Sequence, residues 1–143
     1  MAKFVYAILF SSLILLSCGQ TKTDKDKERI NDVCDKFMLE FQHGNISKAL
    51  QLLKVNSIMA PSAIDTLQVT ISKQKSTIVS SYGKILSFEF INERKIRDFL
   101  AKRTYILKFE KYYLKFDFTL YKTPTGWRIT NFNYNEDLIE VLY

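Results

Sequence analysis

Cys18 and Cys34 are the only thiols of the sequence, and His43 is its only imidazole. A lone histidine, with no companion at ligand spacing, supplies neither a metal site nor the base that activates a nucleophile. No metal and no cofactor is therefore expected. Two thiols could close a disulfide, so the role of each cysteine depends on its surroundings. The other candidates are aromatic: Tyr82, Tyr105, Tyr112 and Trp127 each join an apolar body to one polar hydrogen. They could line a pocket for a small ligand, or fill a core and send their O–H and N–H groups to its rim. A general acid–base couple would need carboxylates beside them. By the strand alternation set out below, Glu89 and Asp117 point to the opposite face, so no catalytic residue is assigned.

The surroundings of Cys18 are the more telling. After Lys3, the run from Phe4 to Leu16 is apolar except for Ser11 and Ser12. It is shorter than the roughly 20 residues of a spanning helix and fits the apolar part of an export signal, about 7–15 residues. It ends in Leu15-Leu16-Ser17-Cys18, which resembles the lipobox of bacterial lipoproteins. That resemblance implies a diacylglycerol on the Cys18 thiol, cleavage just before it with loss of residues 1–17, and acylation of the new amino terminus. The alternative is an ordinary signal cut near Ser17, leaving Cys18 a thiol. A multiply acylated Cys18 suits stable attachment, since each buried methylene contributes about 0.8 kcal/mol and a single chain binds only marginally. The expected location is the bacterial cell envelope, lipid-anchored on the periplasmic side of the outer membrane or at the cell surface, with the membrane as first partner.

Loss of residues 1–17 would leave 126 residues (143 − 17), enough for one domain with a core. The formal charge would fall from +6 to +5, because Lys3 is the only charge removed. Residues 18–27 read as the lipidated cysteine and a flexible charged tether, about ten residues reaching roughly 35 Å at most. Residues 28–143 read as a single domain. Basic residues alternate there with acids and apolar positions, as in Asn92-Glu93-Arg94-Lys95-Ile96-Arg97-Asp98. With no basic stripe and no nucleic-acid motif, no nucleic-acid partner is expected.

Hydrophobic period then orders the domain. Ile30, Val33, Cys34, Phe37, Met38 and Phe41 share one helical face, and Gly44 supplies the left-handed residue that ends a helix. Cys34 lies within that stripe, so it reads as a small buried hydrophobe and not as a partner for Cys18. A second helix is expected after Asn45, burying Ala49, Leu50 and Leu53, and a third from Pro61 to Ser81, stopped by Gly83. Beyond Gly83 the period becomes two. Leu86, Phe88 and Phe90, then Tyr105, Leu107 and Phe109, then Leu114, Phe116, Phe118 and Leu120, then Trp127 and Ile129 mark four strands with one apolar face. In the last strand Asn131 and Asn133 would land on that face, which a β-bulge near Thr130 would correct. Tyr113, Tyr121 and Ile106 fall on the outer face, a surface for a homodimer or an envelope protein partner.

Three helices followed by an antiparallel meander make an α+β domain. The stretches SSYGKILSFEF (80–90) and YKTPTGWRITNFNY (121–134), with the strands between them, resemble the nuclear-transport-factor-2-like superfamily. That resemblance implies three N-terminal helices packed on a curved four-stranded meander, forming a cone. The apolar closing segment Leu138, Ile139, Val141, Leu142 and Tyr143 would then cover the cone's open end or dock on a partner. Such folds host unrelated functions, so the site must decide. Without an inward carboxylate, the expected role is a non-catalytic module binding a ligand or a protein; the alternative is a pocket enzyme of the isomerase or hydrolase type.

Overall fold

A computed structural model of the protein describes residues 22–142. The expected export signal, Cys18 and Tyr143 lie outside the described residues. The elements run α1 (Lys22–Gln42), α2 (Ile46–Asn56), α3 (Pro61–Tyr82), β1 (Ile85–Ile96), β2 (Leu100–Phe109), β3 (Tyr113–Thr123), β4 (Gly126–Asn135) and a short α4 (Ile139–Leu142). The strands form one antiparallel sheet in the order β1-β2-β3-β4. The chain is thus an α+β domain, three helices followed by an open meander, as the change of period predicts.

The core lies between α1, α2 and one face of the sheet. Ile30, Cys34, Phe37, Met38 and Phe41 of α1 are buried, as are Ala49, Leu50 and Leu53 of α2. The Phe37 ring packs edge-on to Phe118 at 5.2 Å and tilted against Phe132 at 4.9 Å between centroids. Phe41 meets Phe116 edge-on at 5.0 Å. These are the separations at which ring quadrupoles attract. Cys34 is a free buried thiol whose pKa burial pushes up to about 12, so it stays protonated and packs as an apolar group.

Four features differ from the sequence reading or refine it. The first helix begins at Lys22, so residues 22–27 belong to it and not to a flexible tether. They are seated because the backbone N–H of Trp127 donates to the Asp26 carboxylate and Lys27 pairs with Glu93. Asn45 precedes α2, but its side chain turns back to donate to Glu40 Oε2 at 2.7 Å instead of capping. In β4 the register passes from Thr119 opposite Asn131 to Leu120 opposite Ile129, leaving Thr130 as the extra residue. That bulge buries Phe132 and turns Asn131 and Asn133 to solvent. Strand β1 carries two further irregularities, at Leu86 and Ile91. Leu86 and Phe90, expected on the buried face, are exposed on this edge strand.

Replacing Phe37 with alanine removes the ring that joins α1 to β3 and β4. Urea denaturation is expected to show a loss of about 3–5 kcal/mol for Phe37→Ala, against no more than about 0.5 kcal/mol for Val55→Ala on the exposed side of α2. Equal losses would mean that α1 is not the central layer of the core.

Candidate functional site

The same face of α1 that buries Cys34 and Phe37 is bordered by a polar line, Lys27, Asn31 and Asp35, one turn apart. It meets Glu93 of β1 and Arg103 and Tyr105 of β2. The Lys27 ammonium donates to Glu93 Oε2 at 2.7 Å and to Asn31 Oδ1 at 2.6 Å. Arg103 donates from Nη1 to the same Glu93 oxygen at 3.0 Å, from Nε to the Tyr105 hydroxyl at 3.0 Å, and from Nη2 to Asp35 Oδ1 at 3.2 Å. Tyr105 in turn donates its O–H to Asp35. Two cations face two carboxylates, so the group is neutral as a whole. The Arg103 guanidinium also lies over the Phe90 ring at 4.4 Å, and the Lys27 ammonium lies 5.2 Å from the Trp127 ring centroid.

Two local causes bring these residues together. Arg103 shares the inward face of β2 with Tyr105. Glu93 sits opposite Arg103 only because the irregularity at Ile91 reverses the parity of β1 between Phe90 and Asn92. Burial alone would raise the Glu93 carboxyl, but hydrogen bonds from Lys27 and Arg103, with their charges, outweigh it and its pKa is lowered. For Lys27 burial dominates over the pair with Glu93, and its pKa is lowered too. Burial and the bond to Asp35 push the Tyr105 phenol up, so it remains a neutral donor. Every charge here is engaged by another. The arrangement holds α1 on the sheet and leaves no group poised to exchange a proton with a substrate.

Open space lies elsewhere. A cleft of about 500 Å³ runs between α3 and the β3–β4 side of the sheet, with Lys73, Thr77, Tyr82, Asn135 and Glu136 along it. An apolar recess of about 60 Å³ adjoins it, lined by Phe41, Ile71, Ile85 and Phe109. Gln74, Ile78, Leu114 and Tyr134 belong to both. Where the two spaces meet, the Tyr134 hydroxyl donates to Gln74 Oε1 at 2.6 Å, linking helix to sheet. Burial raises the Tyr134 pKa, which keeps that donor protonated. At one rim Tyr82 donates to the Glu136 carboxylate, and this bond pushes its pKa up to about 12.

The four aromatic candidates do not converge on one pocket. Tyr82 lines the cleft and meets Tyr112 at 4.7 Å. Tyr112, which shares the parity of the inward Leu114 and Phe116, lies in the β2–β3 turn and is exposed. Tyr105 is wholly buried beneath α1. Trp127 is at the other end of the sheet, its indole N–H buried and without a hydrogen-bond partner among the described residues. The reason is the length of the strands, which carry an inward side chain only every second position and so spread the four along the sheet. Sequence reasoning missed Arg103 and Glu93 of the ionic group, and Gln74 and Tyr134 of the cleft. Arg103 was signalled by its parity with Tyr105. Asp117 lies on the outer face, as its parity predicts, but it is buried there with Thr104 and Lys115 and accepts from the Thr104 hydroxyl at 2.7 Å.

His43 is exposed at the end of α1, and no group of side chains that could hold a metal ion occurs among the described residues. Nor is any described helix long and apolar enough to cross a membrane. Compared with known proteins, the chain matches no family model, no curated protein and no solved structure.

Glu93→Gln would leave Lys27 and Arg103 buried without their shared countercharge. Equilibrium unfolding at neutral pH is expected to show a loss of about 3–5 kcal/mol. The sign with pH follows from the lowered carboxyl. Its contribution is complete above the ordinary glutamic value of 4.5 and is lost as pH falls through the lower folded value. The substitution should remove that part of the acid destabilisation; an unchanged acid limb would show that Glu93 is not the titrating group.

Proposed function

We propose that the protein is an envelope lipoprotein, anchored through acylated Cys18, whose domain has the nuclear-transport-factor-2-like arrangement and acts as a non-catalytic binding module. Its ligand site is the cleft between α3 and the sheet, and its ligand a small, mainly apolar molecule with a polar end. The observation that carries this reading is the apolar recess joined to a polar-rimmed cleft at the Tyr134–Gln74 bond. Pockets of that composition bind by burying an apolar body while a few polar groups set its orientation. An isomerase or hydrolase would need an ionisable pair facing the bound molecule. The ionisable cluster of the interior is turned away from the cleft, which is lined by none of Lys27, Asp35, Glu93, Arg103 or Tyr105. Glu136, on the rim, is already taken by Tyr82.

Ile78 touches both spaces and is half-buried, so a larger side chain there fills the recess without displacing the core. Titration with 1-anilinonaphthalene-8-sulfonate should give saturable fluorescence enhancement, and Ile78→Trp should weaken it about tenfold, equivalent to about 1.4 kcal/mol. Equal binding by a folded variant would move the site away from the cleft. For the anchor, Cys18→Ser should release the protein from the membrane fraction, and continued attachment would defeat the assignment.

A further inference from the structure

One pole of the domain gathers the amino-terminal turns of α1, the β1–β2 hairpin and the β3–β4 hairpin. Three contacts fix this. The backbone N–H of Trp127 donates to Asp26, Lys27 pairs with Glu93 at 2.7 Å, and the backbone N–H of Lys122 donates to the Phe99 carbonyl at 2.8 Å. The β1–β2 tip exposes large apolar side chains that the fold could have hidden. Ile96 is 60 % exposed and Phe99 44 %, and Tyr121 of β3, 42 % exposed, meets the Phe99 ring edge-on at 6.3 Å. Between and beside them stand Lys95, Arg97 and Lys122, against the single carboxylate Asp98 at the tip; Lys95 also reaches Glu93 at 3.5 Å. Arg97 holds φ at 53°, a conformation that favours glycine, yet the position carries a long cation.

The chain that precedes the described residues enters at this same pole. Four peptide steps separate Cys18 from Lys22, so the helix start can stand no more than about 14 Å from the Cys18 backbone. We infer that this pole is a second membrane contact, in which Ile96, Phe99 and Tyr121 enter the headgroup region of an anionic bilayer while Lys95, Arg97 and Lys122 face its phosphates. The inference rests on the reading of Cys18 as the lipid attachment. The amphipathic ring of a tyrosine favours the interface, and apolar side chains such as Phe gain by burial at the headgroup boundary. Basic side chains gain from a negative leaflet within a Debye length. The short connection brings them into reach at no further cost in chain ordering. The domain is then held upright on the membrane instead of swinging on a long tether.

The test uses the lipidated protein reconstituted in phosphatidylethanolamine vesicles, with or without phosphatidylglycerol. Flotation with the vesicles reports the anchor alone. Fluorescence of a Phe99→Trp variant, read against the parent with its buried Trp127, reports the pole. Brominated lipid is expected to quench the added indole on anionic vesicles. The quenching should fall when Lys95→Glu and Arg97→Glu are added, and at about 1 M salt, where the Debye length is about 3 Å. In the unaltered protein, amide exchange of residues 96–99 should slow on the same vesicles. Failure to float overturns the anchor reading itself. Flotation without quenching or slowed exchange overturns the second contact, as does quenching indifferent to lipid charge and salt. Protection seen only in whole envelopes, and not on vesicles, overturns it in favour of an acidic protein partner.

Discussion

Helix α1 is joined to the sheet by two unlike contacts, and the rest of the structure is arranged around their agreement. The stack of Phe37 and Phe41 on Phe116, Phe118 and Phe132 supplies area and dispersion but little direction. A helix on such a surface could slide or rotate by a fraction of a turn at modest cost. The chain of hydrogen bonds and ion pairs from Lys27 through Glu93 and Arg103 to Asp35 and Tyr105 removes that freedom. Buried ion pairs add little net stability over apolar substitutes of the same shape. Their contribution here is register: a helix displaced by one turn would leave buried charges unpaired. The direction in which the amino-terminal end of α1 leaves the domain follows from that register.

What the sequence discloses about this design depends on whether parity is kept or broken within a single element. The α1 stripe is legible because its period is unbroken from Ile30 to Phe41. The bulge at Thr130 is legible for the opposite reason, since Asn131 and Asn133 would otherwise face the core. The irregularities of β1 leave no such trace. Leu86, Phe90 and Ile91 are apolar whichever face they take, so a shift among them violates nothing visible in composition. That silent shift is what carries Glu93 inward, and without it Arg103, inward by its parity with Tyr105, has no visible countercharge on β1. The ionic group was therefore half legible: its β2 member by alternation, its β1 member only through pairing. The start of α1 was hidden for a related reason. Residues 22–27 are polar on every side, and only contacts with Trp127 and Glu93, distant in the chain, show that they are held.

The cleft arises from the composition of α3. Along this helix only Ile64 and Ile71 are buried, so its apolar face is too thin to close against the sheet along its whole length. Its carboxyl-terminal end is nevertheless fixed. Gly83 holds φ at 83°, where a Cβ would strike the Glu110 carboxylate, and Glu110 and Lys111 return backbone hydrogen bonds to Lys84 and Tyr82. The amino-terminal half buries Ile64 in the core and is tied to α2 by Lys54 to Asp65 at 2.8 Å and Gln68 to Ser47 at 3.1 Å. Between these supports the helix is tied across the gap by Tyr134 to Gln74, a bond that a ligand's own polar group could replace in kind. A segment with few buried contacts between firm ends is the kind of element whose opening costs least.

The two spaces and the pole formed by the β1–β2 and β3–β4 hairpins lie at opposite ends of α1. Its 21 residues rise about 1.5 Å each, which sets Phe41 and Gly44, beside the recess, about 30 Å from the first turn. If the first turn is held near the bilayer, the recess lies well beyond the headgroup layer, and its contents exchange with the aqueous side and not with the membrane. The rigid register of α1 is what makes that distance definite. A tether of ten flexible residues would have let the same cleft approach the bilayer or retreat from it. With the helix beginning four steps from Cys18, an anchor there would fix both where the protein is and which end of it meets solvent.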